Sequence, residues 1–436
     1  MSSSAPRPFE IFLYASFAGM FFLAIFLFAT FSGDRGGSGG AGSVVIWGTL
    51  DHPVMERHIR RLAENHPALR GARYRQIDER TFDRELLNAI AEQRQPDLVL
   101  MPHTALVQRR SILFPLNYDT TISTRQFADR YIDGFEIFAR PNGLYALPFA
   151  VDPLIMYWNR DIYANNRFAE PPRTWEAVVN SIVPTIVRRG TDRSISMSPV
   201  ALGEYRNVSN SYSIVSALLL QGGSRMVEEV NGRYEITINV SAAAGVSNPF
   251  TSTVQFFTQF ANPSSPLYSW NRTKGNDRDE FLAGNLATYF GHGSEVVAMR
   301  AQNPNLNFDA APFPQASDAT AQRTYGTFYG LAILRSANNI NGAYQVAQTM
   351  TSEASLRAVT GELMLAPPHR SSISQGTTGF TGQVIYDSAL LSRGWLNPDY
   401  EATDQIFQQA MDDVLAGRAQ PARVSSDVMT RLRQQY

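Results

Sequence analysis

The sequence predicts an α/β protein of two lobes with doubly wound sheets, preceded by one N-terminal transmembrane helix. Three observations carry that expectation. Two successive strand-helix-strand units open the main body, a Pro-punctuated pair of extended segments suits a crossing between lobes, and an uncharged run of 21 residues precedes both. At 436 residues and 44% hydrophobic content the chain can bury a large core and is not a disordered or low-complexity sequence.

The N-terminal run spans Ile11 to Phe31 and holds seven Phe. As a helix it extends about 32 Å, matching a hydrocarbon core of about 30 Å. A cleaved secretory signal is the competing reading. Such signals have shorter apolar cores and small residues at the cut, whereas Ala29-Thr30-Phe31 puts Phe there. The expectation is an uncleaved anchor over 11–31 behind a short cytoplasmic segment, 1–10. The linker 32–43 is Gly-rich, with an expected reach of about 18 Å, and holds the body close to the membrane on its outer side.

Val44 to Trp47 is a continuous apolar run that reads as a buried parallel strand ending in Gly48-Thr49. Asp51 then caps a helix reaching about Asn65, with Met55, Ile59 and Leu62 on one face. Tyr74 to Ile77 gives a second strand, Phe82, Leu86 and Ile90 mark a second helix, and Asp97 to Met101 a third strand. Ligands on such sheets gather outside the strand carboxyl ends, here Gly48 to Asp51 and Pro102-His103. Gly143 to Phe149 and Leu154 to Asn159 read as two extended segments with a bend at Asp152-Pro153. Thr174 caps a helix from Trp175, and Tyr212 to Leu220 is an apolar helix stopped by Gly222-Gly223. Leu286 to Phe290 is a short strand, and Gly291-His292-Gly293-Ser294 leads into a helix, a geometry that presents backbone N–H groups to a polar ligand. Phe308 to Pro314 and Tyr325 to Leu334 are extended, about Gly342 to Gly361 is one helix, Asp404 to Leu415 another, and Gly417 to Tyr436 a polar tail.

A formal charge of -1 offers no field for nucleic acid, and the Arg pairs do not interleave with aromatics, so no nucleic-acid partner is expected. The chain has no cysteine, which excludes disulfides, thiol chemistry and Cys-held metals. H-E-x-x-H is absent, and neither a metal nor a cofactor is expected.

In order along the chain, "VVIWGTLD", "PDLVLMP", "GLYALPFAVDPLIMYWNRDIY", "PPRTWEAV", "FLAGNLATYFGHGSEV", "NPNLNFDAAPFP", "YGLAILRSANNINGAYQVAQTMTSEA" and "APPHRSSI" together resemble the extracytoplasmic solute-binding proteins of ABC importers, the family of maltose- and other sugar-binding proteins. The resemblance covers nearly the whole body from Val44 to about Leu415. It implies a type II, periplasmic-binding-protein-like fold whose two lobes close on a solute. The first lobe is expected over 44–151 plus 312–366, and the second over 152–311 plus 367–436. It further implies a monomer that binds a small solute, a carbohydrate by preference, is not an enzyme, and delivers the solute to ABC permease subunits. A surface glycan hydrolase using the same cleft, or a ligand-sensing receptor with a membrane partner, are the alternatives. Where many sugar binders of that family carry Trp after the Gly-rich turn, this chain has Ser294-Glu295.

A sugar is held by aromatic faces and planar polar groups. Candidate platforms nearest the matching segments are Tyr212, Phe328 and Trp395, while Trp47 and Trp175 read as core. The polar candidates are Thr49 and Asp51 after the first strand, His103 after the third, Asp152 at the crossing, and His292 with Ser294 in the Gly-rich turn. Asp51 and Ser294 have the alternative role of helix caps, and Asp152 that of holding the crossing.

Overall fold

A computed structural model describes residues 41–242, 248–319 and 321–436. The proposed anchor at 11–31 lies outside them. Among the described residues no helix is long and apolar enough to cross a membrane.

The principal elements begin with β1 (Val44–Gly48), α1 (His52–Asn65), β2 (Ala72–Gln76), α2 (Phe82–Ala91) and β3 (Leu98–Pro102). β1 pairs in parallel with both β2 and β3, as two βαβ units require. Asp51 caps α1 by accepting from the Val54 N–H at 2.9 Å, and Pro53 stands in the first turn where its missing N–H costs nothing. Met55, His58 and Ile59 bury the inner face of α1, Glu56 accepts from the Tyr74 N–H at 2.8 Å on its edge, and the outer face carries its Arg residues and Glu64.

The next strand, β4 (Leu147–Asn159), is buried at every one of its 13 positions. Two segments with a bend were expected. Instead the chain continues straight through both prolines, because each sits where its ladder is interrupted. Pro148 lies opposite Gly330 at a bulge in the pairing, and Pro153 ends the pairing with one neighbour just before the next begins. The second half of the chain adds β5 (Ile195–Val200), α3 (Ser211–Gln221), α4 (Pro249–Thr258), β6 (Leu286–His292), α5 (Glu295–Gln302), β7 (Phe308–Pro312) and β8 (Thr324–Ile333). It closes with α6 (Ile340–Met350), α7 (Glu353–Leu363), α8 (Phe380–Leu391), α9 (Tyr400–Leu415) and α10 (Pro421–Arg433).

The strand order is β2-β1-β3-β8-β4-β6-β5, with β7 also on β4. β8 runs antiparallel to β3 and to the first half of β4, and β6 and β7 run antiparallel to its second half. The sheets are therefore mixed, with parallel pairs in β2-β1-β3, in β6-β5 and where the start of β8 meets the short strand Ser392–Arg393. Because β4 changes partners midway, it belongs to both lobes of the mixed α/β body, and the two cores meet across it.

Three further elements differ from the sequence reading. The helix expected from Gly342 to Gly361 breaks at Thr351-Ser352, where the hydroxyls of Thr351 and Ser352 donate to carbonyls of their own turn and Ser352 turns extended. β5 and the hairpin of Val227–Val230 with Arg233–Ile236 add strands on either side of the helix at Tyr212 to Leu220, where no strand is expected from the sequence. The polar tail is helix α10, whose Val424, Val428 and Leu432 recur at i, i+4 and i+8 and pack towards α9 and α4.

Leu432 is 1% exposed, so the C-terminal helix is part of the core. Leu432→Ala is expected to cost about 2–5 kcal/mol in urea denaturation. A loss below about 0.5 kcal/mol, the level of surface substitutions, would show the helix to be an appendage.

Candidate functional site

A cavity of about 300 Å³ lies where the strand ends of the first lobe face the start of α9. One wall holds Thr49 after β1, Pro102 and Thr104 after β3, and Glu79, Arg80, Asp83 and Arg84 at the entry to α2. The opposite wall is Asp399, Tyr400 and Glu401. Asp399 caps α9 by accepting from the Ala402 N–H at 2.9 Å, which fixes the direction in which Tyr400 and Glu401 leave the helix. Tyr400 is 43% exposed, an unusual amount for an aromatic next to a packed core, and its ring leans on Tyr212 at 4.7 Å between centroids.

The α2 wall is held in place by Arg109. Arg109 is buried, donates from Nε to Asp83 at 2.6 Å and lies over the Phe82 ring at 4.4 Å. A charge-assisted bond and a cation–π contact thus lock the first turn of α2 against the segment after β3.

Beneath the cavity the lobes are in direct contact. Tyr325 on β8 sits among His103, Tyr212 and His292, with ring centroids 5.8, 5.7 and 6.3 Å away. Trp395 stacks on Tyr212 at 6.1 Å, and Asn397 donates to the Tyr212 hydroxyl at 2.7 Å. Tyr212 and Trp395 are therefore buried floor that supports Tyr400. Phe328 is fully buried, edge-on to Phe135 at 5.0 Å and tight against Gly134, where a Cβ would meet its ring at 1.9 Å.

His103 is also buried. Its Nδ1 accepts from the Phe328 N–H at 3.2 Å, so the proton resides on Nε2. Nε2 has no hydrogen-bond partner and faces Gly394, where a Cβ would lie 2.4 Å away. Burial, helped by the nearby His292, pushes the His103 pKa down to about 3.

The Gly-rich turn is occupied from within. Asp152, 5% exposed on β4, accepts from the Ser294 N–H at 3.1 Å and from the Ser294 hydroxyl at 2.5 Å. His292 bridges the same region, with Nδ1 3.1 Å from the Asp152 carbonyl oxygen and Nε2 3.0 Å from the Ser213 hydroxyl. Glu295 completes it by accepting from the His292 N–H at 2.8 Å and the Tyr289 hydroxyl at 2.5 Å. Burial raises the Asp152 carboxyl above its usual range, opposed by His292 and by the two Ser294 bonds. The backbone N–H expected to greet a ligand is thus engaged by the protein's own carboxylate.

Of the residues singled out from sequence, Thr49 lines the cavity and Asp51 spends its carboxylate on the α1 cap. His103, Asp152, Tyr212, His292, Ser294, Phe328 and Trp395 converge on the seam below. Sequence reading missed Glu79 to Arg84 and Asp399 to Glu401. A signal for the first existed: β2 has a carboxyl end too, and the loop after it meets the same rule that marked the ends of β1 and β3. No fold-level rule marks the second, which reaches the cavity only through tertiary packing.

Two lobes sharing one strand, with a cavity between the strand ends of one and the start of α9, make a two-lobed periplasmic-binding-protein-like architecture. The chain belongs to the bacterial extracellular solute-binding protein family, whose sequence profile matches residues 74–356. No curated protein sequence matches it. Among solved structures it is similar to the sugar-binding protein MalE from Xanthomonas citri, with TM-score 0.70 at 17% identity, covering 90% of this chain and 97% of that one. It is also similar to the cyclic α-maltosyl-1,6-maltose binding protein of Arthrobacter globiformis, with TM-score 0.71 at 14% identity over 90% and 98%. A third is an ABC transporter solute-binding protein from Thermotoga lettingae bound with α-D-tagatose, with TM-score 0.66 at 15% identity over 90% and 99%. These likenesses establish the fold, and the proteins so described are binding proteins.

Burial also sets a pH dependence. His103, His58 and His369 have pKa values lowered to about 3, 4 and 4, against about 6.5 when unfolded. As pH falls below about 6.5 the unfolded chain takes up protons that the folded chain refuses. Stability therefore falls with pH by up to about 1.4 kcal/mol per unit for each histidine, levelling off below the folded values. Asp277, raised to about 6 by burial, opposes one of the three between about pH 4 and 6. Urea midpoints should thus decline from pH 6.5 to 4.5, and more gently in His58→Gln, which keeps a polar group near Ser355. A midpoint independent of pH would contradict buried neutral histidines.

Proposed function

We propose that the chain is an extracytoplasmic receptor that encloses a carbohydrate between its lobes and hands it to the permease of an ABC importer. The cavity walled by Thr49, Glu79 and Arg84 on one side and by Asp399, Tyr400 and Glu401 on the other carries this reading. Only a closed arrangement brings both walls to one solute, so a ligand touching both shifts the population towards closure. Tyr400 supplies an aromatic face for the C–H surface of a sugar ring, and the carboxylates and guanidinium groups around it are planar partners for hydroxyls. The neighbours described with maltosyl or tagatose ligands support the carbohydrate class.

Within this proposal Thr49 touches the solute, while His103, Asp152, Tyr212, His292, Ser294, Phe328 and Trp395 shape the seam that closes beneath it. The lobes comprise 44–151 plus 312–366 and 152–311 plus 367–436. Residues 11–31 anchor the chain with the body outside the membrane, and 32–43 tether it near its permease, which raises the local concentration there. A single stacking platform in about 300 Å³ favours a mono- or disaccharide over a long maltodextrin. The chain binds its solute and leaves it chemically unchanged.

Titration calorimetry with a panel of mono- and disaccharides is expected to yield a ligand whose binding Tyr400→Ala weakens by about 2 kcal/mol, roughly 30-fold. If Tyr400→Ala leaves the affinity of every bound sugar unchanged, or no sugar binds, the proposed site is refuted.

A further inference from the structure

We propose that the second lobe carries a separate pocket for an alkylated cation, a guanidinium or ammonium group on an apolar stem, with Glu204 as counter-charge and Arg272 as an internal occupant that the ligand displaces. The pocket has a volume of about 410 Å³ and shares no residue with the inter-lobe cavity. Its walls include Glu204, Thr258, Pro263, Tyr268, Arg272 and Leu415.

Glu204 is 3% exposed, yet its pairing is incomplete. Oε2 faces the Arg272 Nε at 3.3 Å, and the buried Oε1 has no hydrogen-bond partner. An ionised carboxylate offers about four acceptor sites, so this one is desolvated and mostly unused. Its counter-ion sits on the other side of the balance. The Arg272 side chain is 70% exposed, so its attraction is screened by water and opposed by side-chain entropy. A buried anion opposite a solvated cation is an exchangeable pair: a ligand cation loses less by replacing Arg272 than it would by breaking a fully buried bridge.

Further features favour a cation with a stem. Leu415 lies in the last turn of α9, a 16-residue helix whose carboxyl end carries partial negative charge. Pro263 and Leu415, with Val414 and Ala261, offer apolar contact to methylene groups. Of the neighbouring guanidiniums, Arg206 bonds to Asp412 at 2.7 Å and reaches Glu204 only through its field, and Arg418 bonds to Asp413 at 2.7 Å, so neither hydrogen-bonds Glu204. Gly203, at φ +100° and packed so closely on Ala261 that a Cβ would meet its nitrogen at 2.5 Å, fixes the backbone beside the carboxylate. The same chemistry is presented by a free alkylguanidine and by an arginine side chain of a protein partner.

Calorimetry on the full chain with agmatine and with acetyl-Leu-Arg-Leu-amide separates these sources and tests the pocket. Agmatine binding as tightly as the peptide assigns the pocket to a free solute. A peptide about tenfold tighter assigns it to a protein side chain. In either case Arg272→Ala should tighten binding about tenfold by removing the internal competitor, Glu204→Gln should weaken it by at least about tenfold, and uncharged n-butylurea should not bind. A merely structural ion pair would give no gain on removing Arg272. The assignment is overturned if neither cation binds the Arg272→Ala protein, or if that variant binds no more tightly than the native chain. Arg272 is largely in solvent, so its variant decides the question even if Glu204→Gln fails to fold. Saccharide affinity should stay unchanged in Arg272→Ala, which keeps this test independent of the cleft.

Discussion

The clasp between Asp152 and Ser294 holds the point on which the two-lobed arrangement turns. β4 passes from the pairing of one lobe to that of the other within a residue or two of Asp152. A carboxylate buried there without partners would be costly to keep charged. It is accommodated because the Ser294 hydroxyl and N–H, at the entry to α5, both donate to it. The positive end of α5 thus faces β4, and His292 is fixed between the Asp152 carbonyl and Ser213. Losing one member leaves either a buried charge or an open helix end, so the strand exchange and the local packing stand or fall together.

The clasp also accounts for the contrast between floor and cavity. With the Gly-rich turn engaged internally, the groups beneath the cleft mostly meet one another, as Tyr212 meets Asn397 and Trp395, with His103 Nε2 the exception. Polar side chains left facing space come instead from the helix entries at Glu79 to Arg84 and Asp399 to Glu401. Helix entries suit this task, since their first-turn side chains diverge from a capped and fixed backbone. In the proposed site, two such entries stand on opposite walls and form one cavity only while those walls are together.

How much of this was legible in the sequence follows from the range of each interaction. β1, α1, α2 and β3 were readable because continuous apolar runs and a 3.6-residue stripe are local signals, and the resemblance of ordered segments pointed to the family. β4 was read as two pieces because proline is locally a breaker, and only the pairing partners show that Pro148 and Pro153 fall at interruptions of the ladder. α10 escaped notice because its apolar residues come once per turn among polar ones. Locally, Ser294 suits a helix cap or a ligand group equally well. Its actual partner is 142 positions earlier in the chain, a contact that no periodicity announces.

If a solute draws the two lobes together, the distance between them must change on binding. The chain lacks cysteine, so spin labels can be placed without background at Glu64→Cys on the first lobe and Arg423→Cys on the second, both exposed. Electron–electron distance measurements should show a broad or longer distribution in the free protein that narrows to a single shorter distance when the bound sugar is added. A distribution that is identical with and without a sugar shown to bind would contradict the account.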